Sequence, residues 1–343
     1  MPYQLINIDQ KEEWTYYIQK SQVFDFYHTW FYHSLVASDN PFLFVYQEKE
    51  VLIILPLIKR KVSGSMFYDC TSVYGYAGPI SNISFKFIDD ETIENFNDEF
   101  LGFLKQERII CVFSRLHPLI NQHPVLEKLG GINSHGRTVA INLQIPLESQ
   151  REKYRKAFRS KIRQLREKGF VVKQADTKQE IKEFSKIYQE NMLKVNANSS
   201  YFFSQQYFLD FLSSPEFDSK LLLTYHNNQI TSGAVITFSN HIMQLHLVAT
   251  KNDYLHESPM KLLIDEATIL GRKLDMHHLH LGSGVGSEED GLFVFKAGFS
   301  DLFLRFHTWQ YIANESVYEA LVKERFNGQY SESKKFPVYR NSL

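Results

Sequence analysis

Cysteine is nearly absent from the chain. Cys70 and Cys111 lack CxxC spacing and are too few for a disulfide framework or a zinc site. Long hydrophobic runs are missing too. The longest aliphatic stretch, "VLIILPLI" at 51–58, is far too short for a bilayer, so no stable membrane insertion is expected. The opening "MPYQLINIDQ" has neither a basic n-region nor an apolar h-region, and a cytoplasmic protein is expected. Neither sign of charge is in excess: 38 Lys and Arg stand against 39 Asp and Glu, a formal net charge of −1. The whole molecule therefore favours no polyanion, and DNA is not an expected partner. Thirteen histidines include "HHLH" (277–280) but no HExxH, so no catalytic metal is expected. There is no GxSxG elbow, which leaves a hydrolase little support.

What the sequence does have is aromatic residues, at 15% with 28 Phe and 19 Tyr, within a hydrophobic content of 43%. That composition suits an aromatic core. A length of 343 residues points to about two domains. The pattern repeats once. "KEEWTYYIQK" and "DFYHTWFYHSL" have helical spacing of apolar residues, and "PFLFVYQEKEVLIILPLI" reads as a hairpin. In the second half "KQEIKEFSKIYQENML" and "SQQYFLDFL" read as helices, followed by the hairpin "KLLLTYHNNQITSGAVITF". Tyr46 and Tyr225 hold the same place before each turn. Further strands and a helix follow: "HIMQLHLVAT", "SPMKLLIDEATILGRKL", "MHHLHLG" and "DLFLRFHTWQYI". The expected architecture is α/β (α+β), with two similar tandem domains, each a mixed sheet flanked by helices.

Between the halves, residues 151–168 carry nine Lys or Arg against two Glu. Tyr154, Phe158, Ile162 and Leu165 fall on one helical face, and Gly169 is placed to end the helix. The remaining faces read either as a solvated basic surface or as a dock for phosphates, with Arg159 and Arg163 one turn apart.

The densest motif runs from Leu279 to Ser300, "LHLGSGVGSEEDGLFVFKAGFS". It is not a P-loop, because no Lys follows the glycines, and GxGxxG fails at Ser287. Gly282, Ser283 and Gly284 instead mark a strand-to-helix turn whose N–H groups can face an oxyanion or phosphate, with Ser287 and Asp290 as capping residues. Lys296 sits in an apolar, aromatic run where a cation needs a partner or a charged ligand. His246, sharing a strand face with Gln244, reads as a base, a substrate contact or a structural histidine. His117, beside Pro118 at a strand end, reads the same way. Tyr201 reads as a substrate-stacking or core aromatic ring.

The Leu279–Ser300 run resembles the C-terminal motif of the FemABX (peptidoglycan bridge) transferases and their acetyltransferase-like relatives, whose pattern is an LGG turn and then FK-x-x-F. "YRKAFRSKIRQLREKGFVV" resembles the family's basic helix, and "LHLVATKNDYLHESPMKLLIDEA" its strand–loop–helix. The match is good over 150–310 and weaker before it. The resemblance implies two GNAT-like domains, here 1–147 (with 315–343 as a possible completion) and 148–314, each with a mostly antiparallel sheet. It implies transfer of an aminoacyl or acyl group to an amine of a cell-wall or polysaccharide precursor. No tightly bound cofactor is implied; the donor is either aminoacyl-tRNA or acyl-CoA. Lys296 matches the family lysine implicated in activity. Two departures bear on the donor and acceptor. "FSRLHPLI" puts His117 where bridge-forming members have an acid, and "YLHESPMK" lacks the glycines with which CoA-binding members grip pyrophosphate. The alternatives are an acetyl-CoA-dependent N-acetyltransferase acting on an amino sugar or small amine, and a non-catalytic nucleotide-sugar or RNA binding module.

Overall fold

The computed structural model describes residues 2–36, 39–326 and 336–340. In chain order the first half contains β1 (Tyr3–Asn7), α1 (Lys11–Lys20), α2 (Trp30–Val36), β2 (Asn40–Glu48), β3 (Val51–Lys61), β4 (Tyr68–Thr71), β5 (Ile80–Ser81), α3 (Asp90–Gln106), β6 (Ile109–Arg115) and α4 (His123–Leu126). Then come β7 (Ile132–Asn142), α5 (Leu147–Glu152), α6 (Lys156–Glu167), β8 (Val171–Gln174), α7 (Lys178–Lys194), α8 (Gln205–Leu212), β9 (Asp218–His226), β10 (Gln229–Ser239) and β11 (Ile242–Thr250). After these come α9 (Met260–Lys273), β12 (His278–Gly282), α10 (Gly291–Lys296), β13 (Leu302–Ile312) and α11 (Glu315–Arg325).

The chain divides into two compact units, Met1–His135 with Arg305–Leu343, and Gly136–Leu304. The boundary read from the sequence at 147/148 falls inside the second unit. Of the completing segment 315–343, residues 327–335 and 341–343 lie outside the described residues. Both units use one topology. In the first, β1, β2, β3 and β4 are successive antiparallel neighbours, β4 runs parallel to β6, and β13 lies antiparallel to β6. In the second, β8, β9, β10 and β11 are successive antiparallel neighbours, β11 runs parallel to β12, and β7 lies antiparallel to β12. Each unit is therefore a mixed, mostly antiparallel sheet with helices on its faces.

Hydrophobic spacing explains the packing. In α3, Ile93, Phe96, Phe100, Phe103 and Leu104 form one stripe against Phe42, Phe44 and Tyr46, which alternate along β2. The intervening Leu43 and Val45 meet Trp14 and Ile18 of α1 on the opposite face. In the second unit Met260, Leu263, Ile264 and Ala267 of α9 join Phe158, Ile162 and Leu165 of α6 and Ala234 and Ile236 of β10 in one core. The second hairpin turns at Asn227 and Asn228, both left-handed, a conformation in which Asn is well tolerated.

One segment departs from the expected pattern. "DFYHTWFYHSL" is not a single helix but a 3-10 turn, Phe26–His28, followed by α2. The Asp25 side chain caps the turn, and Thr29 between the two pieces is extended, so the helical path is broken. Both cysteines are buried free thiols. Among the described residues no helix is long and apolar enough to cross a membrane.

Candidate functional site

β11 and β12 are paired only over Ile242–Gln244 and His278–His280, although β11 continues to Thr250 and β12 to Gly282. Beyond that short ladder the parallel pair carries no further register. At its last rung His280 Nδ1 lies 2.7 Å from Gln244 Oε1, and both side chains are buried. On the other edge of β11 the register to β10 slips: Val235 faces Leu247 and Ile236 faces Leu245, which leaves His246 as the extra residue of a β-bulge. Its ring stacks on Phe211 at 5.0 Å and approaches the Tyr207 hydroxyl at 3.4 Å, both from α8.

The end of β12 leads directly into the glycine turn. Gly282 is left-handed (φ 79°), which removes the penalty a side chain would meet there. Asp290 then holds the turn together: Oδ1 accepts from Phe293 N at 2.9 Å, capping α10, and Oδ2 accepts from Val285 N at 3.1 Å. The cap is thus Asp290; Ser287 is instead a left-handed residue within the turn. Burial pushes the Asp290 carboxyl up, but the backbone donors of Phe293, Val285 and Leu292, with Lys296, outweigh it and hold it below its ordinary value. The turn's own N–H groups are partly consumed, since Ser287 N donates to Gly284 O and Glu288 N to Val285 O. Two residues of β7 brace it from outside. Arg137 makes a bidentate pair with Glu289 at 2.7 and 3.0 Å, and Gly136 lies so close that a Cβ there would stand 1.9 Å from Ser287 O.

Lys296 ends α10 and is partly buried. Its Nζ donates to Ser283 O at 2.7 Å, and among the described residues the other two N–H groups have no hydrogen-bond partner. Burial lowers the ammonium from 10.5 to about 8, opposed by Asp290. Lys296 and the Gly282–Gly284 turn are thus one constellation.

The basic helix α6 packs on the same motif through Phe158, whose ring lies 5.0 Å from Phe299 and 5.7 Å from Phe295. Much of its charge is already paired. Lys161 and Lys168 hold Glu257 at 2.7 and 2.5 Å, keeping that carboxyl near 2, and Arg166 bridges Asp265 and Glu266. Arg155 and Lys156 are exposed and have no side-chain partner among the described residues. Among the described residues the Arg159 side chain donates only to the Glu152 carbonyl, and Arg163 pairs loosely with Glu167 at 3.7 Å. Tyr201 closes a 3-10 turn, Ser199–Tyr201, and is partly exposed.

His117 belongs to the other unit, where it is buried and bound to buried Asp25, Nε2 to Oδ2 at 3.0 Å. Leu119 N–H donates to its Nδ1 at 3.1 Å, so Nε2 carries the proton given to Asp25. Its lone pair is therefore engaged in a local turn. Sequence reasoning did not single out Gly136, Arg137, Gln244 or His280 as site residues. Only the alternation in "MQLHL" and "HLHL" carried a signal for the last two.

Two levels of comparison agree with this geometry. Residues 152–289 match the family model for the acetyltransferase (GNAT) domain. With the same strand topology in the first unit, the chain has a tandem GNAT-like fold. FemX shares it with a TM-score of 0.69 at 13% identity, over 93% of this chain and 99% of that one. The structure of L-PGS from Bacillus licheniformis gives a TM-score of 0.58 at 13% identity, over 93% and 97%. The C-terminal domain of a putative lysylphosphatidylglycerol synthetase from Agrobacterium fabrum gives 0.51 at 14%, over 82% and 89%. No curated protein matches the sequence.

Proposed function

We propose that the protein is an N-acyltransferase of the FemABX type, moving an aminoacyl or acyl group onto an amine of a cell-wall or polysaccharide precursor. The observation that carries this reading is the Lys296 ammonium, pinned by one N–H to Ser283 O with two N–H groups to spare, where the β11–β12 ladder has ended. In the reaction the acceptor nitrogen attacks an ester or thioester carbonyl, a C–N bond forms, the C–O or C–S bond breaks, and the amine loses a proton. Lys296 would donate to the oxyanion of the tetrahedral intermediate or to a neighbouring phosphate. His246 is the candidate for the proton, and Arg159 and Arg163 for donor or acceptor phosphates.

An aminoacyl ester donor is the better supported of the two. At the start of α9 Pro259 has no N–H, Lys261 N donates to Ser258 O and Leu262 N to Pro259 O, so little backbone is left to grip a pyrophosphate.

The test is a transfer assay with labelled aminoacyl-tRNA and with acetyl-CoA, each offered amine-bearing muropeptide and amino-sugar acceptors. Folded Lys296→Ala protein is expected to lose about 10²–10³ in turnover. Full activity in that variant removes the assignment. Thermal shifts with one ligand class only, and no transfer, would favour a binding module.

A further inference from the structure

At the opposite end of the same two strands, a second cluster has no part in this chemistry. His241 precedes β11, and Asp275 and His277 lie between α9 and β12. Together they offer two imidazoles and a carboxylate from two turns far apart in sequence. One ligand atom from each residue lies within 4.8 Å of the other two. The imidazoles are nearly parallel, 4.3 Å between centroids and 9° between planes. His241 Nδ1 lies 2.8 Å from Asp275 O and 3.9 Å from Asp275 Oδ2, so the imidazole already stands against the residue that supplies the carboxylate. The two turns are also tied by backbone, His277 N and His278 N both donating to His241 O at 2.8 and 3.3 Å. The side chains of His241 and Asp275 are 53% and 91% exposed, so an ion has open access.

We propose that His241, His277 and Asp275 form a surface site for a divalent transition-metal ion of the Zn²⁺ or Ni²⁺ class, clamping the paired end of β11 and β12. Two imidazole nitrogens and one carboxylate suit a borderline ion better than Mg²⁺ or Ca²⁺, which prefer all-oxygen shells. Ligands about 2.0–2.1 Å from a tetrahedral ion stand about 3.3 Å apart, a closure within reach of rotation of exposed side chains. Solvent would fill the remaining positions. Ile242 pairs with His278, so binding would tighten the first rung of the ladder whose far end opens at Gln244 and His280.

The test uses the full chain, free of any histidine tag and stripped with chelator. Calorimetric titration and thermal shift are run with Zn²⁺, Ni²⁺ and Mg²⁺. One equivalent of Zn²⁺ and Ni²⁺ should bind and raise the melting temperature, while Mg²⁺ does neither. His277→Gln and His241→Asn, the latter chosen because Asn tolerates the left-handed backbone at that position, should each weaken binding at least tenfold with unchanged circular dichroism. Should either variant fail to fold, Asp275→Asn serves as the third arm, with the same weakening expected. No saturable binding, or binding undiminished in the folded variants, would overturn the site.

Discussion

At the residue scale Lys296 has to sit in a folded protein and, in the function proposed above, to meet the reacting carbonyl. An ammonium lowered from 10.5 to about 8 is one the folded state protonates less readily than the unfolded chain. Between those values the unfolded state binds more protons, so stability rises with pH across that window. Below about 8 the cost of holding the charge is present in full. Replacing the lysine by methionine removes that titration. Urea denaturation at a series of pH values should therefore show wild-type protein gaining on Lys296→Met as pH climbs from 8 to 10.5. Parallel curves would mean that the amine is well solvated and the turn only a turn. The lysine's placement in "LFVFKAGF" was readable, because a cation in an apolar run is conspicuous. Its bond to Ser283 O was not, since that depends on how Asp290 folds the glycine turn back across thirteen residues. His117 shows the converse: a suggestive neighbour of Pro118 in sequence whose nitrogens are occupied by Asp25 and Leu119 once the chain folds.

At the scale of elements, the turn is held by interactions that no local pattern announces. Gly136 is an unremarkable strand glycine in sequence, yet a Cβ there would collide with a backbone carbonyl, Ser287 O, which cannot rotate away. Gly136→Ala should displace the turn, costing about 1–3 kcal/mol of stability and lowering transfer activity more than tenfold. Equal kcat and stability in the variant would show that the turn's position is irrelevant to the chemistry. Helix α6 was legible as an amphipathic helix because Phe158, Ile162 and Leu165 share a face. That Lys161, Lys168 and Arg166 would be spent on Glu257, Asp265 and Glu266 was not, because those partners come from about a hundred residues away. Strand β11 likewise read as strictly alternating; the bulge at His246 is set by its pairing with β10.

At the scale of the molecule, a net charge of −1 leaves long-range steering to local clusters. The unpaired or loosely paired charge at the start and along α6, Arg155, Lys156, Arg159 and Arg163, is the cluster in question. If a charged tRNA is the donor, its affinity should fall steeply between about 50 and 200 mM salt. Arg159→Gln/Arg163→Gln should reduce the log–log slope by about two, one for each phosphate no longer neutralised. An unchanged slope would take the helix out of the donor's path.

The sequence by itself determined the class of fold and its doubling. Hydrophobic periodicity marks strands and helices locally, and the same order of elements occurs twice, so two similar mixed-sheet units follow from local pattern alone. Only the tertiary structure decided which strands finish each sheet, where the β11–β12 ladder ends, which basic residues keep their charge unpaired, and which histidines have a nitrogen to offer. Those depend on partners distant along the chain, brought together by burial and hydrogen bonding that a one-dimensional pattern does not encode.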